Sequence, residues 1–135
     1  MTLVDAGPLI ALIDRDDADH KACVEVLKDL SAPLVTTFAA FTEAMYLLGD
    51  RGGWAGQDAL WRLLSRGDLV LHAVEGETLD RARKLMKKYR DLPMDLADAT
   101  FVSLAEELEH RRIFTLDGDF NVYRLPGRKA FEVVP

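Results

Sequence analysis

One cysteine, Cys23, stands in 135 residues, so the chain has no internal disulfide and no cysteine-based metal cluster. A lone thiol fits a reducing, cytoplasmic setting. No apolar run approaches the roughly 20 residues that span a bilayer. The N-terminus, MTLVDAGPLIALIDRDD, has no basic leader and meets acids at once, so no secretory signal is expected. The three histidines, His20, His72 and His110, are scattered and form no ligand spacing. Positive charge is also in deficit: the net charge is −6. That excludes a protein that holds nucleic acid by bulk basicity, but not an enzyme whose acids are gathered in one site.

What remains is an ordinary globular composition, 49% apolar and 30% charged, at a length suited to one domain over residues 1–135. Short β-type runs alternate with helical patterns. TLVD (2–5), LVTT (34–37), LVLHAV (69–74), IFTLD (113–117) and AFEVV (130–134) read as strands. Between them lie a brief helix in GPLIALIDR, a helix over 16–30, another over 38–48, a turn at Gly52-Gly53, and helices over 55–66, 78–90 and 95–110. The spacing predicts inner faces of Cys23, Val26, Leu27 and Leu30; of Phe38, Phe41, Met45 and Leu48; and of Leu79, Ala82, Met86 and Tyr89. The stretch GDFNVYRLPGRK reads as loop or a short helical turn. Strands alternating with helices predict an α/β fold, a parallel sheet of about five strands covered on both faces. Right-handed crossovers then bring every strand's carboxyl end to one edge, where open α/β sheets bind their ligands.

Four acids from distant segments are aimed at that edge. Asp5 and Asp117 end the first and fourth strands, Asp98 lies in the first turn of the helix opened by MDLADA, and Glu43 sits among apolar residues in FAAFTEAMYLL. Singly, each has a plain structural role as a turn former, a cap or a dipole-stabilised acid. Together they crowd like charges, which raise one another's pKa and oppose folding. No basic residue adjoins Asp5, Glu43 or Asp98 in sequence, so a divalent cation is the natural neutraliser. Carboxylates without His or Cys favour Mg²⁺ or Mn²⁺, ions suited to phosphate ester hydrolysis. Asp95, three residues before Asp98, reads as the helix N-cap, and the helix dipole is expected to favour the charge on Asp98.

VDAGPLIALID, TTFAAFTEAMYLL, PMDLADATFVSLAEE and TLDGDF, in this order, resemble the PIN-domain family, and within it the VapC-type toxin ribonucleases. The resemblance implies a three-layer α/β/α fold and a Mg²⁺- or Mn²⁺-dependent endoribonuclease leaving 5′-phosphate and 3′-hydroxyl ends. It assigns Asp5, Glu43, Asp98 and Asp117 to the acidic site, with Asp5, Asp98 and Asp117 as metal ligands. It assigns Thr115 to a hydroxyl position that organises a water or an acidic side chain. Asp95 and Asp119 are accessory acids, Asp119 serving the metal or simply the DGDF turn. A VapB-type antitoxin is the implied partner, laying an apolar helix in a groove near the first helices and an arginine in the acidic cleft; homodimers are common in the family.

Basic residues offer contacts to RNA backbone: Arg81, Lys84 and Lys88 in the stripe at 81–90, with Arg112 and Arg128 flanking the Asp117 region. The same stripe also fits a solvated helix face. Trp54 and Trp61, seven apart, suit either core packing or a partner surface. Rival Asp-rich α/β folds fit poorly. A haloacid-dehalogenase-type phosphatase needs DxD after its first strand, where this chain has DAG, and a receiver needs an Asp after its third strand, where LVLHAV has none. A PIN fold that only binds RNA or protein, or a solitary RNA-processing nuclease, is the alternative function; a complete acid set argues against the former.

Overall fold

The computed structural model describes residues 1–135. In chain order the elements are β1 (Thr2–Val4), α1 (Ala6–Ile13), α2 (His20–Leu27), β2 (Leu34–Thr36), α3 (Phe38–Gly52), α4 (Trp54–Arg66), β3 (Leu69–Leu71), α5 (Gly76–Lys88), α6 (Leu96–Leu108), β4 (Arg112–Phe114), β5 (Arg124–Leu125), β6 (Lys129–Ala130) and β7 (Glu132–Val134). Five strands form a wholly parallel sheet in the order β3-β2-β1-β4-β7, with Leu3 opposite Val35 on one side and Ile113 on the other. These are the five strands expected from the sequence, with shorter or shifted bounds; the fourth runs Arg112–Phe114, so Asp117 lies three residues beyond its end.

The chain steps outward from β1 to β2 to β3, then returns to lay β4 on the far side of β1. Right-handed crossovers therefore place helices on both faces. α1 packs against α2, α3 and α4, while α5 packs against α6, giving the three-layer α/β/α arrangement. The reversal of direction puts a topological switch point between β1 and β4, and their carboxyl ends open a crevice there. Leu3, Val4, Ile113 and Phe114 fill the centre of the sheet, beneath Leu9 of α1 and Phe101, Val102 and Leu104 of α6, all fully buried. No helix is long and apolar enough to cross a membrane.

Several local expectations are corrected. The inner face of α3 is Ala40, Phe41, Ala44 and Leu48; Phe38, at its first position, is 70% exposed. The helix runs through Gly52, and only Gly53, at φ 71°, makes the turn into α4. Leu79 and Leu27 lie outward because α5 and α2 bury narrower stripes, Ala82 with Leu85 and Cys23 respectively. Trp54 is 66% exposed, so core packing is not its role. Trp61 sits edge-on to Phe41 at 5.4 Å yet keeps much of its surface in solvent. The 118–129 stretch holds more than a loop: a 3-10 turn at Gly118–Asn121, then the antiparallel hairpin β5–β6. The expected last strand is divided, since Lys129–Ala130 pairs with that hairpin and only Glu132–Val134 joins the main sheet.

Candidate active site

Asp5 follows β1 directly, and its backbone N–H donates to the Phe114 carbonyl at 2.9 Å, extending the β1–β4 pairing to the sheet edge. The residue caps α1: Oδ1 accepts from the Ala6 N–H at 2.8 Å, while Oδ2 accepts from the Thr115 hydroxyl at 3.0 Å. Thr115 Oγ1 in turn accepts from the Asp117 N–H at 3.0 Å. One buried hydroxyl thus locks the ends of two neighbouring strands and fixes the rotamer of Asp5. Asp117 Oδ1 accepts from the Asp119 N–H at 2.9 Å, opening the 3-10 turn.

Asp98 arrives from the other side. Asp95 is the N-cap of α6, its Oδ1 accepting from the Asp98 N–H at 2.8 Å, as MDLADA implies. That cap sets the first turn, and the three-residue offset brings Asp98 into the crevice, 4% exposed. Thr37 caps α3, and its hydroxyl is 2.9 Å from that of Thr100 in α6, so the two helix starts are clamped together. Glu43, further along α3, thereby faces the same cleft.

Carboxylate oxygens of Asp5, Asp98 and Asp117 lie within 4.8 Å of one another. Asp5, Ala6, Gly7, Glu43, Asp95, Asp98, Leu116 and Asp117 line a cleft of about 220 Å³, with no Lys, Arg or His among them. Glu43 lines this cleft but lies outside the three-acid cluster, and Asp119 is outside both, its backbone serving the turn. The donor set fits a hard divalent cation: ligand oxygens around Mg²⁺, at about 2.1 Å from the ion, stand roughly 3–4 Å apart, and the ion keeps several waters. Oxygens within 4.8 Å of one another are compatible with that spacing.

Burial dominates the electrostatics of the site without an ion. It pushes the Asp5 carboxyl up to about 6, against the lowering effect of the Ala6 N–H and the Thr115 hydroxyl, with Glu43 and Asp117 adding to the rise. Asp98 is pushed up to about 8, again chiefly by burial; its bond from Tyr123 opposes the shift, while Asp95, Asp5 and Asp117 reinforce it. Glu43, whose side chain is largely exposed, is raised by partial desolvation at the cleft wall, then by Asp95 and Asp117. The helix dipole was expected to favour the charge on Asp98, and here burial outweighs it. Loss of hydration, more than mutual repulsion, is what an incoming cation would offset.

Tyr123 was missed in the sequence. It is fully buried and donates its hydroxyl to Asp98 Oδ2 at 2.7 Å. The available signal was an aromatic bearing a polar tip, three residues after Phe120, in a segment that seemed to be loop; a buried tyrosine hydroxyl requires a partner.

The candidate RNA contacts divide into two groups. Arg81 grips Glu106 through Nε–Oε2 at 2.9 Å and Nη2–Oε1 at 3.1 Å, and Arg112 is bound to Glu132 across the β4–β7 edge. Lys84, Lys88 and Arg128 have no ion-pair partner, and Lys88 Nζ sits 5.1 Å above the Tyr89 ring. α5 ends beside the loop that leads into α6, so its basic end lies toward the cleft edge. Replacing both Lys84 and Lys88 by Ala is expected to weaken RNA binding and flatten its salt dependence by about 0.7 per lost phosphate contact. Arg81→Ala should instead leave the salt slope alone and cost about 1 kcal/mol or less in denaturant unfolding. Titrations of RNA at several salt concentrations separate the two.

The fold and site are those of a parallel α/β/α sandwich with clustered carboxylates at its switch point, a donor set that could hold a cation. The chain belongs to the PIN-domain family, whose model matches residues 2–125. It is 31% identical over 134 residues to Ribonuclease VapC26 of Mycobacterium tuberculosis, covering 98% of this chain and 99% of that protein. Its fold superposes on the crystal structure of VapC20 from the same organism, a toxin that cleaves the sarcin-ricin loop, with a TM-score of 0.85, 18% identity and full coverage of both chains. A toxin–antitoxin complex from Klebsiella pneumoniae gives a TM-score of 0.71 at 16% identity over 100% of this chain and 97% of that one.

Proposed function

We propose that this protein is a Mg²⁺- or Mn²⁺-dependent endoribonuclease and the toxin of a VapBC-type pair. The observation that carries the reading is the convergence of Asp5, Asp98 and Asp117 in a cleft without basic residues, in a chain related over its length to a VapC ribonuclease. Asp5, Asp98 and Asp117 would hold the ion. When bound, it supplies charge neutralisation and Lewis-acid polarisation of the scissile phosphate. Thr115 holds Asp5 in place and Asp95 holds the backbone that presents Asp98. Glu43, facing the cleft outside the three-acid cluster and with its carboxyl raised, is the group suited to take a proton from the attacking water. Lys84, Lys88 and Arg128 supply unpaired positive charge for the RNA backbone.

The antitoxin partner has a matching surface. A groove of about 770 Å³ between α1, α2 and the end of α4 is lined by Leu12, Ile13, Leu27, Leu30, Leu34 and Leu63 among others, suited to an apolar helix. The acid-only cleft attracts an arginine from the same partner. Exposed Trp54 and Trp61 on α4 suit a partner or homodimer surface. The test is incubation of the purified protein with total RNA in Mg²⁺, Mn²⁺ or EDTA, with mapping of the new ends. Discrete cleavage dependent on the metal supports the reading. RNA binding without cleavage in either metal would favour a non-catalytic binding module.

A further inference from the structure

The three clustered acids are each restrained by a donor, and the donors differ. Asp5 is held by the Ala6 N–H and the Thr115 hydroxyl, and Asp117 by the Asp119 N–H. Two of these donors belong to backbone that turns at the strand ends and would be present with any side chain there. Asp98 has no such backbone support for its carboxylate. Its carboxylate is held by one group, the Tyr123 hydroxyl, 25 residues away in sequence.

That hydroxyl is held rigidly. The Tyr123 ring meets Phe120 edge-to-face at 5.2 Å and Tyr89 at 5.1 Å, and Phe120 is wedged in turn against Phe101 and Phe131. Tyr89 is anchored by its own hydroxyl, which accepts from the Arg124 N–H at 3.0 Å. With aromatic neighbours on two sides and no exposure, the ring cannot swing its oxygen away from Asp98 without opening the core. The 3-10 turn and hairpin after β4 therefore serve the crevice, delivering Tyr123 beneath α6.

We infer that Tyr123 is a positioning residue of the metal site: by engaging Oδ2 of Asp98 it fixes that carboxylate and leaves Oδ1 to face the cation. The inference rests on the metal-nuclease reading above. The chemistry of the donor suits the task. A lysine or arginine in this place would orient Asp98 but also neutralise it, competing with the cation. A hydroxyl restrains the same oxygen, carries no charge, and leaves the cluster's full negative charge for the ion. Hydrogen bonds that orient metal ligands in this way are typically worth ten- to a hundred-fold in metal affinity.

The test is calorimetric titration of Mn²⁺ into the full chain, wild type and Tyr123→Phe, each freed of metal with EDTA and dialysed. Tyr123→Phe is expected to unfold cooperatively in EDTA and to bind Mn²⁺ about ten- to a hundred-fold more weakly. At limiting Mn²⁺ its kcat on RNA falls while KM for RNA holds, and raising Mn²⁺ restores kcat. Wild-type binding of Mn²⁺ with unchanged affinity in a folded Tyr123→Phe overturns the inference and leaves the metal reading intact. Failure of the wild type to bind Mn²⁺ overturns the metal reading itself, and the inference with it. If Tyr123→Phe does not fold, 4-fluorophenylalanine at position 123 keeps the ring and fills the hydroxyl's place without a proton to donate; a wild-type Mn²⁺ affinity there overturns the inference equally.

Discussion

Asp98→Asn is expected to reduce RNA cleavage at saturating Mg²⁺ by at least about a hundred-fold, and Asp5→Asn by a similar factor, with RNA affinity nearly unchanged. Both residues contribute oxygens to the same cluster, and both are buried enough that no solvent-borne anion can replace them. The amide keeps the shape of each side chain and one acceptor oxygen. At position 98 the Tyr123 hydroxyl still finds a partner, and at position 5 the cap and the Thr115 bond can persist. What disappears is one negative charge aimed at the cation. If RNA is held through Lys84 and Lys88, as proposed, and so outside the cleft, the loss belongs to kcat. If the two acids serve one ion, the double variant should be little worse than either single one. Glu43→Gln gives a contrast. If Glu43 acts on the proton and not as a ligand, the variant keeps wild-type Mn²⁺ affinity in calorimetry while losing cleavage. Cleavage by Asp5→Asn and Asp98→Asn at the wild-type rate would end the metal-site reading.

Much of this arrangement could be read from the residue pattern because strand ends in a parallel α/β fold share one edge. Once TLVD and IFTLD were strands, Asp5 and Asp117 had to lie along one edge; that they are neighbours follows from β4 pairing with β1, which the residue pattern did not reveal. Asp95 and Asp98 separated on cap geometry alone, since the N-cap side chain bonds back to the third residue of its helix. What escaped was carried by tertiary context. Phe38 and Leu79 follow helical spacing but fall where no second layer covers them, and period says nothing about which apolar stripe is covered. Two-residue strands such as β5 and β6 are too short to show alternation. Tyr123 depends on a packing of four other aromatics from separate segments, and no local pattern encodes that. Arg81 and Arg112 read as free cations because their acidic partners are 25 and 20 residues distant.

In EDTA, Asp98→Asn is expected to be more stable than the wild type at pH 8 and close to it at pH 5. The sign follows from the direction of the shifts. Asp5 and Asp98 have folded values near 6 and 8, above the usual carboxylate value of 3.8. A raised folded pKa means that the folded state holds its proton more tightly than the unfolded chain. The associated stability is complete below about pH 4, declines as the unfolded carboxylates ionise, and is gone once pH has passed the folded values. From pH 5 to pH 8 the metal-free wild type therefore loses stability through these two groups, about 1.4 kcal/mol per unit of pH for each group still protonated in the fold. The amide that replaces Asp98 cannot ionise, so the variant escapes that residue's share, and the difference between the two proteins should widen with pH to a few kcal/mol. Urea unfolding at both pH values measures it. Mg²⁺ at about a thousand times its Kd should offset that gap at pH 8, and at higher concentration invert the order, because an ion that binds only the folded wild type adds about 4.1 kcal/mol there, whereas the variant has lost a ligand. A variant with the same pH dependence as the wild type would mean that water reaches Asp98 freely enough to ionise it in the folded state. The inversion, if seen, ties the two findings together: the burial that makes this acid costly without metal is what makes the site take one up.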